Sequence, residues 1–119
     1  MHELSIAEQI IRIVANEGAD ANAVRVTGAS VSVGRMMAVE RDNLLFCLDV
    51  LKKSDPLTEH TVFAVEEEKL QLQCKACGHV TVTGEFLFAC EACHSQGVDV
   101  IGGGQLEVSY LEVSFDGED

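Results

Sequence analysis

The sequence predicts an α+β protein in which two helices pack on a small, mostly antiparallel sheet, with a zinc-ribbon or rubredoxin-like module inserted before the last strand. Three observations lead there. Apolar residues recur with helical period in two segments and alternate in several others. Two Cys-x-x-Cys pairs, Cys74-Lys75-Ala76-Cys77 and Cys90-Glu91-Ala92-Cys93, stand at metal-ligand spacing. A strongly apolar strand follows the second pair and needs a sheet to join.

In chain order, Ile6 to Val14 has helical period, with Leu4, Ala7, Ile11 and Val14 on one stripe and Ile6, Ile10 and Ile13 widening it. Ser5 with Glu8 reads as a capping box and Gly18 as the stop. Val24 to Val33 alternates around Gly28, a strand with a bulge or bend. A second helix is expected from Arg41 to Lys53, with Leu44, Leu48 and Leu51 on its inner face and Pro56 beyond its end. Thr61 to Val65 and Leu70 to Cys74 read as strands, the second running directly into the first cysteine pair. Gly102-Gly103-Gly104 gives a flexible turn, and Gln105 to Phe115 alternates with a slip of phase at Tyr110 and Leu111. The cysteine module looks too small to offer a sheet, so this last strand should return to the N-terminal domain. That makes the main domain discontinuous, 1–73 plus 99–119, with the module at 74–98.

Twenty acidic residues against eight basic ones give a net charge of -12, which repels nucleic acid and anionic lipid. No apolar run approaches the ~20 residues of a membrane span. The five cysteines, four of them in pairs, fit a reducing compartment, so a cytoplasmic protein with neither nucleic acid nor membrane as partner is expected.

Four thiolates from Cys74, Cys77, Cys90 and Cys93 can close a tetrahedral site around Zn²⁺ with no position left open, which makes the site structural. The apolar inventory of 74–98 is too small to hold the segment unaided, so metal should fold it. Iron in a rubredoxin-like electron carrier competes with zinc, but His94 directly after the second pair and an aromatic content of only 5% favour zinc. Dithiol redox chemistry calls for one exposed pair rather than two converging ones. His79 and His94 flank the pairs, either exposed and donating N–H to sulfur from outside the ligand set or serving as alternate ligands. Cys47 reads as a small apolar residue of the second helix and His60 as a surface residue.

Met1-His2-Glu3 offers a second metal site. The α-amine of Met1, the deprotonated His2 amide and His2 Nδ1 close a five- and a six-membered chelate ring on one ion. This all-nitrogen set suits Ni²⁺ or Cu²⁺ in square-planar geometry, provided that Met1 is the true terminus. The fourth in-plane position is left to His79, His94, His60 or a recipient protein.

Met1-His2-Glu3-Leu4-Ser5-Ile6, Leu44-Leu45-Phe46-Cys47, the paired CxxC motifs and Gly104-Gln105-Leu106-Glu107-Val108 with Leu111-Glu112-Val113 resemble the HypA/HybF family of nickel-insertion accessory proteins. The resemblance covers nearly the whole chain. It implies that His2 ligates nickel as transient cargo, that Glu3 supports that site, and that the four cysteines hold structural zinc. It also implies a metallochaperone rather than an enzyme, with a HypB-type GTPase and the [NiFe] hydrogenase large subunit as partners, acting as a monomer or weak homodimer. Some relatives serve urease maturation as well. Where members of the family often have Pro, this chain has Glu91, which bears on the shape of the second cysteine loop. A zinc-ribbon module for nucleic acid is the alternative of another class, and it lacks the basic and aromatic surface such a module needs.

Overall fold

The computed structural model describes residues 2–116. Its elements run α1 (His2–Asp20), β1 (Arg25–Gly34), a 3₁₀ turn (Arg35–Met37), α2 (Arg41–Leu51) continued by a 3₁₀ turn (Lys52–Ser54), β2 (Val62–Glu68), β3 (Leu70–Cys74), β4 (Val80–Thr83), β5 (Val98–Gly102) and β6 (Leu106–Ser114). The strands form two three-stranded sheets, β2-β1-β6 and β4-β3-β5. The chain divides into two compact units. One takes the residues up to Ser32, Val39–Glu66 and those from Glu107 on; the other takes Val33–Ala38 and Glu67–Leu106. The cysteine unit is therefore wider than the span 74–98.

In the first unit α1 packs against α2, and the buried stripe of α1 is Glu3, Ile6, Ala7, Ile10, Ile11, Val14 and Gly18. That stripe is rotated from the expected one: Leu4 is 42% exposed, while Glu3 takes a core-facing place at 7%. The expected capping box does not form, because α1 already begins at His2 and Ser5 lies inside it, its Oγ donating to His2 O at 3.0 Å. Gly18 does not end the helix either. It sits where a Cβ would meet Val26 Cγ2 at 2.8 Å, so glycine is there for close packing. The stop is Asn22, with φ of 60°, whose N–H goes to Ala19 O at 3.0 Å while that of Ala23 goes to Gly18 O at 3.0 Å. This is a Schellman end with asparagine in the left-handed position.

Residues of α2 reach the core through Leu44 and Leu48, both fully buried, each contributing about 1.5–3 kcal/mol. The helix is capped by Glu40, whose Oε2 accepts the N–H of Asp42 at 2.9 Å and of Asn43 at 3.2 Å. Its expected last turn is 3₁₀ rather than α. In β1 the buried face slips between Gly28 and Ala29, the bend anticipated there. β6 joins β1 as expected, and the pairs Val24 with Ser114, Thr27 with Glu112 and Ser30 with Ser109 make the two strands antiparallel. The slip of phase in β6 falls at Ser109 and Tyr110.

The second unit corrects the expectation that the cysteine module has no sheet of its own. β3 pairs antiparallel with β4, Leu72 opposite Thr81, and with β5, Cys74 opposite Val98. Its core is small, centred on Leu70, Leu72, Cys74, Thr81 and Cys90. Val82, Phe86 and Leu87 are exposed, which agrees with a unit too poor in apolar contacts to fold on burial alone. Nor is the glycine turn a flexible one. Gly103 is buried with φ of 79°, and a Cβ there would stand 2.4 Å from Lys69 O. Its own oxygen accepts the Met36 N–H at 2.9 Å. Arg35 completes the unit, donating from Nε to Gly84 O at 2.8 Å and covering the Phe86 ring at 4.4 Å.

Candidate metal centre

Strand β3 delivers Cys74, and the segment between β4 and β5 delivers Cys90. Each opens a tight knuckle of the same build. Cys74 Sγ accepts the N–H groups of Ala76 and Cys77, both at 3.4 Å. Cys90 Sγ accepts those of Ala92 at 3.4 Å and Cys93 at 3.5 Å. The N–H of Gly78 returns to Cys74 O at 3.0 Å and that of His94 to Cys90 O at 2.9 Å. Both closing residues need positive φ, 78° at Gly78 and 64° at His94. Glycine meets that demand without strain, and His94 meets it against its Cβ.

The two knuckles bring all four sulfurs within 4.8 Å of one another. Across the knuckles, Cys74 Sγ lies 3.6 Å from Cys93 Sγ and Cys77 Sγ lies 3.6 Å from Cys90 Sγ. A tetrahedral ZnS₄ site with Zn–S of about 2.3 Å has edges of about 3.8 Å, so the donor set and its span fit a closed four-thiolate centre. Among the described residues this is the one group of His, Cys, Asp and Glu side chains so gathered.

Ionisation is shared unevenly. The Cys77 backbone N–H, working with that of Ala76 against burial, draws the Cys74 thiol down to about 6. The Cys93 and Ala92 N–H groups likewise lower Cys90, again against burial. For Cys77 the His79 N–H pulls downward, but the Cys90 sulfur, burial and the other thiols outweigh it and push the group up to about 12. Cys93 is raised in the same way: the Ser95 N–H is outweighed by Cys74, burial and Cys90. The site thus favours a first thiolate in each knuckle and holds the second proton for a cation to displace.

His79 is exposed, and its Nε2 lies 2.7 Å from Glu91 Oε2. A carboxylate only accepts, so Nε2 carries the proton there. His94 is exposed and lines a small cavity with Thr81, Leu87 and Glu91. Cys47 is half-buried in α2, and His60 is exposed.

At the other candidate site, Met1 lies outside the described residues. His2 opens α1 with its side chain half exposed, and its Nε2 stands 3.7 Å from Glu3 Oε2. The same Oε2 accepts the Glu40 N–H at 3.1 Å, and Oε1 lies 3.5 Å from Asn43 Nδ2. The Glu40 N–H is the main reason that Glu3 stays below the ordinary carboxylate range, with its own backbone N–H helping, burial opposing and His2 adding a smaller pull. Glu40 and Asn43 were not singled out from the sequence. An acid directly before a helical run does read as a cap, but nothing local says that Glu3 comes to meet it.

Comparison with known proteins supplies the family. Residues 1–113 match the family described as HypA, hydrogenase/urease nickel incorporation, metallochaperone. The hydrogenase maturation factor HypA of Desulfatibacillum aliphaticivorans is 35% identical over 96% of this chain and 88% of its own length. That of Roseiflexus sp. is 33% identical over 98% and 94%. Among solved structures, the nickel metallochaperone HypA from Helicobacter pylori shares the fold with a TM-score of 0.74, at 21% identity over 96% of this chain and 98% of that one. A fold of two helices and small sheets, a four-cysteine cluster and a match across nearly the whole sequence converge: the chain belongs to the HypA family of nickel metallochaperones for hydrogenase maturation.

Proposed function

We propose that this protein binds Ni²⁺ at its N-terminus and passes it on for insertion into [NiFe] hydrogenase, while its four-cysteine centre holds a structural Zn²⁺. The observation that carries the nickel reading is the placement of His2 at the head of α1 beside the buried carboxylate of Glu3. First-turn N–H groups lie outside the i→i−4 ladder, so drawing the His2 amide into a chelate removes no bond from that ladder. A cation at a helix N-terminus is opposed by the macrodipole, and an ionised Glu3 offsets that field. Met1 amine, His2 amide and His2 Nδ1 then form the donor set, and Glu3 acts as its electrostatic support.

Few ligands and the cost of deprotonating an amide keep the affinity modest, which suits a carrier that must release its cargo. The role is metal transfer without bond-making catalysis, in the cytoplasm. A HypB-type GTPase and the hydrogenase large subunit are the partners, urease maturation is a second destination, and the chain works as a monomer or weak homodimer. The reading gives nickel to the unit that carries α1 and zinc to the unit of Val33–Ala38 and Glu67–Leu106.

A nickel titration of native protein, of His2→Ala and of protein extended before Met1 tests the reading. Native protein should bind one ion and the two altered forms should lose most of that affinity. Equal binding by the extended form would exclude the terminal chelate.

A further inference from the structure

The two knuckles carry opposite charges at equivalent positions. Lys75 follows Cys74, Glu91 follows Cys90, and the matching N–H to sulfur bonds place them alike. Each is tied to the chain that leaves the other knuckle. Lys75 gives its backbone N–H to Gly97 O at 2.8 Å, and its Nζ lies 3.5 Å from Asp99 Oδ1 in β5. Glu91 gives its backbone N–H to Thr81 Oγ1 in β4 at 3.2 Å, and its Oε2 lies 2.7 Å from His79 Nε2 just before that strand. Thr81 is itself buried, so the Glu91 end of the arrangement has a fixed anchor.

We propose that Lys75 and Glu91 are positioning residues of the metal centre, forming a reciprocal clasp that holds the knuckles in register so that the centre retains its ion. The argument rests on the reading of the centre as a zinc site. A four-thiolate centre gives up its metal when one thiolate lets go and its knuckle moves off. Ties that do not involve sulfur keep a released thiolate within reach, and recapture then competes with loss. Glu91 can supply such a tie here because it has both an N–H for Thr81 and a carboxylate for His79, neither of which a proline at that position would offer. The charge pairs are exposed, so each should change the rate of metal loss only severalfold.

The test follows zinc transfer from the full chain to a coloured pyridylazo chelator in excess. Lys75→Asp and Asp99→Lys should each speed the transfer about two- to fivefold, and the doubly reversed Lys75→Asp with Asp99→Lys should return it close to the native rate. Glu91→Ala and His79→Ala should speed it to a similar extent, with the double variant no faster than either. In Co²⁺-substituted protein the four-thiolate charge-transfer band should be the same in every variant. Unchanged rates in the single variants, or no recovery in the reversed pair, overturn the clasp. A weakened thiolate band would also overturn it, because the residues would then assemble the ligands rather than retain the ion. Zinc content of the native protein is measured first; if it is nil, the zinc reading fails, and the clasp is judged by Co²⁺ loss from the same variants.

Discussion

The carboxylate of Glu3, one residue from His2 in the first turn of α1, accepts the backbone N–H of Glu40, the residue that caps α2. One side chain therefore faces the proposed nickel ligand and holds the start of the second helix. Its folded-state pKa is depressed, so its contribution to stability is present above the ordinary glutamate range and is lost as pH falls through the lowered value. Glu3→Gln should be less stable than native protein at pH 7, and the difference should vanish on acidification, as read from urea midpoints over that range. A gap independent of pH would show that the charge of Glu3 contributes nothing.

Metal removal should separate the two compact units. Chelation of zinc, or Cys74→Ser, should melt amide signals of residues 70–102 while those of α1 and α2 persist, since structural zinc supplies about 10–16 kcal/mol of folding free energy to such a module. Two-dimensional amide spectra with and without chelator report this directly.

Proton release gives a further check. With Cys74 drawn down to about 6 and Cys77 pushed up to about 12, metal-free protein at pH 8 carries a thiolate at the first and a thiol at the second. Cys90 and Cys93 follow the same directions. Zinc uptake at pH 8 should therefore release a proton from each of Cys77 and Cys93, at least two in all, and affinity should rise with pH from about 6 upward as the remaining thiols ionise. Calorimetry in buffers of different ionisation enthalpy counts the protons.

Gly103 is held at φ of 79° with Lys69 O where a Cβ would be. Gly103→Ala should cost about 2 kcal/mol or more, because strained backbone and collision add. Its denaturation midpoint, set against that of Gly84→Ala, where a Cβ would meet nothing within 4 Å, separates a packed turn from a loose one.

Asn22 ends α1 in the left-handed region at φ of 60°. Asn22→Ala should lose about 1 kcal/mol, and Asn22→Gly should match or slightly exceed native stability. Thermal melts of the three forms are sufficient.

Local period and spacing made both helices, four strands, the return of the last strand and the four cysteines legible in the sequence. What stayed hidden depends on partners remote in the chain. Gly18 looks like a helix stop until Val26 is seen to fill the space beside it. Nothing near Glu3 in the sequence shows that Glu40 and Asn43 come to meet it, or that Glu3 is buried while Leu4 is exposed. The strands β4 and β5 alternate, as Val80-Thr81-Val82 and Val98-Asp99-Val100, but they are short and mostly exposed, and pairing with β3 is what holds them. The proposed nickel donors rest on their chemistry and on the family resemblance, and the fold adds the buried carboxylate of Glu3 beside His2.

The membership of Val33–Ala38 in the cysteine unit has a practical consequence for anyone moving this centre elsewhere. It is no cassette. A fragment cut at 67–106 leaves behind Arg35, which covers Phe86 and holds Gly84, and Met36, whose N–H meets Gly103. A transplant that respects the thiolates but drops this second, separate piece of chain should bind metal poorly and precipitate through its exposed phenylalanines.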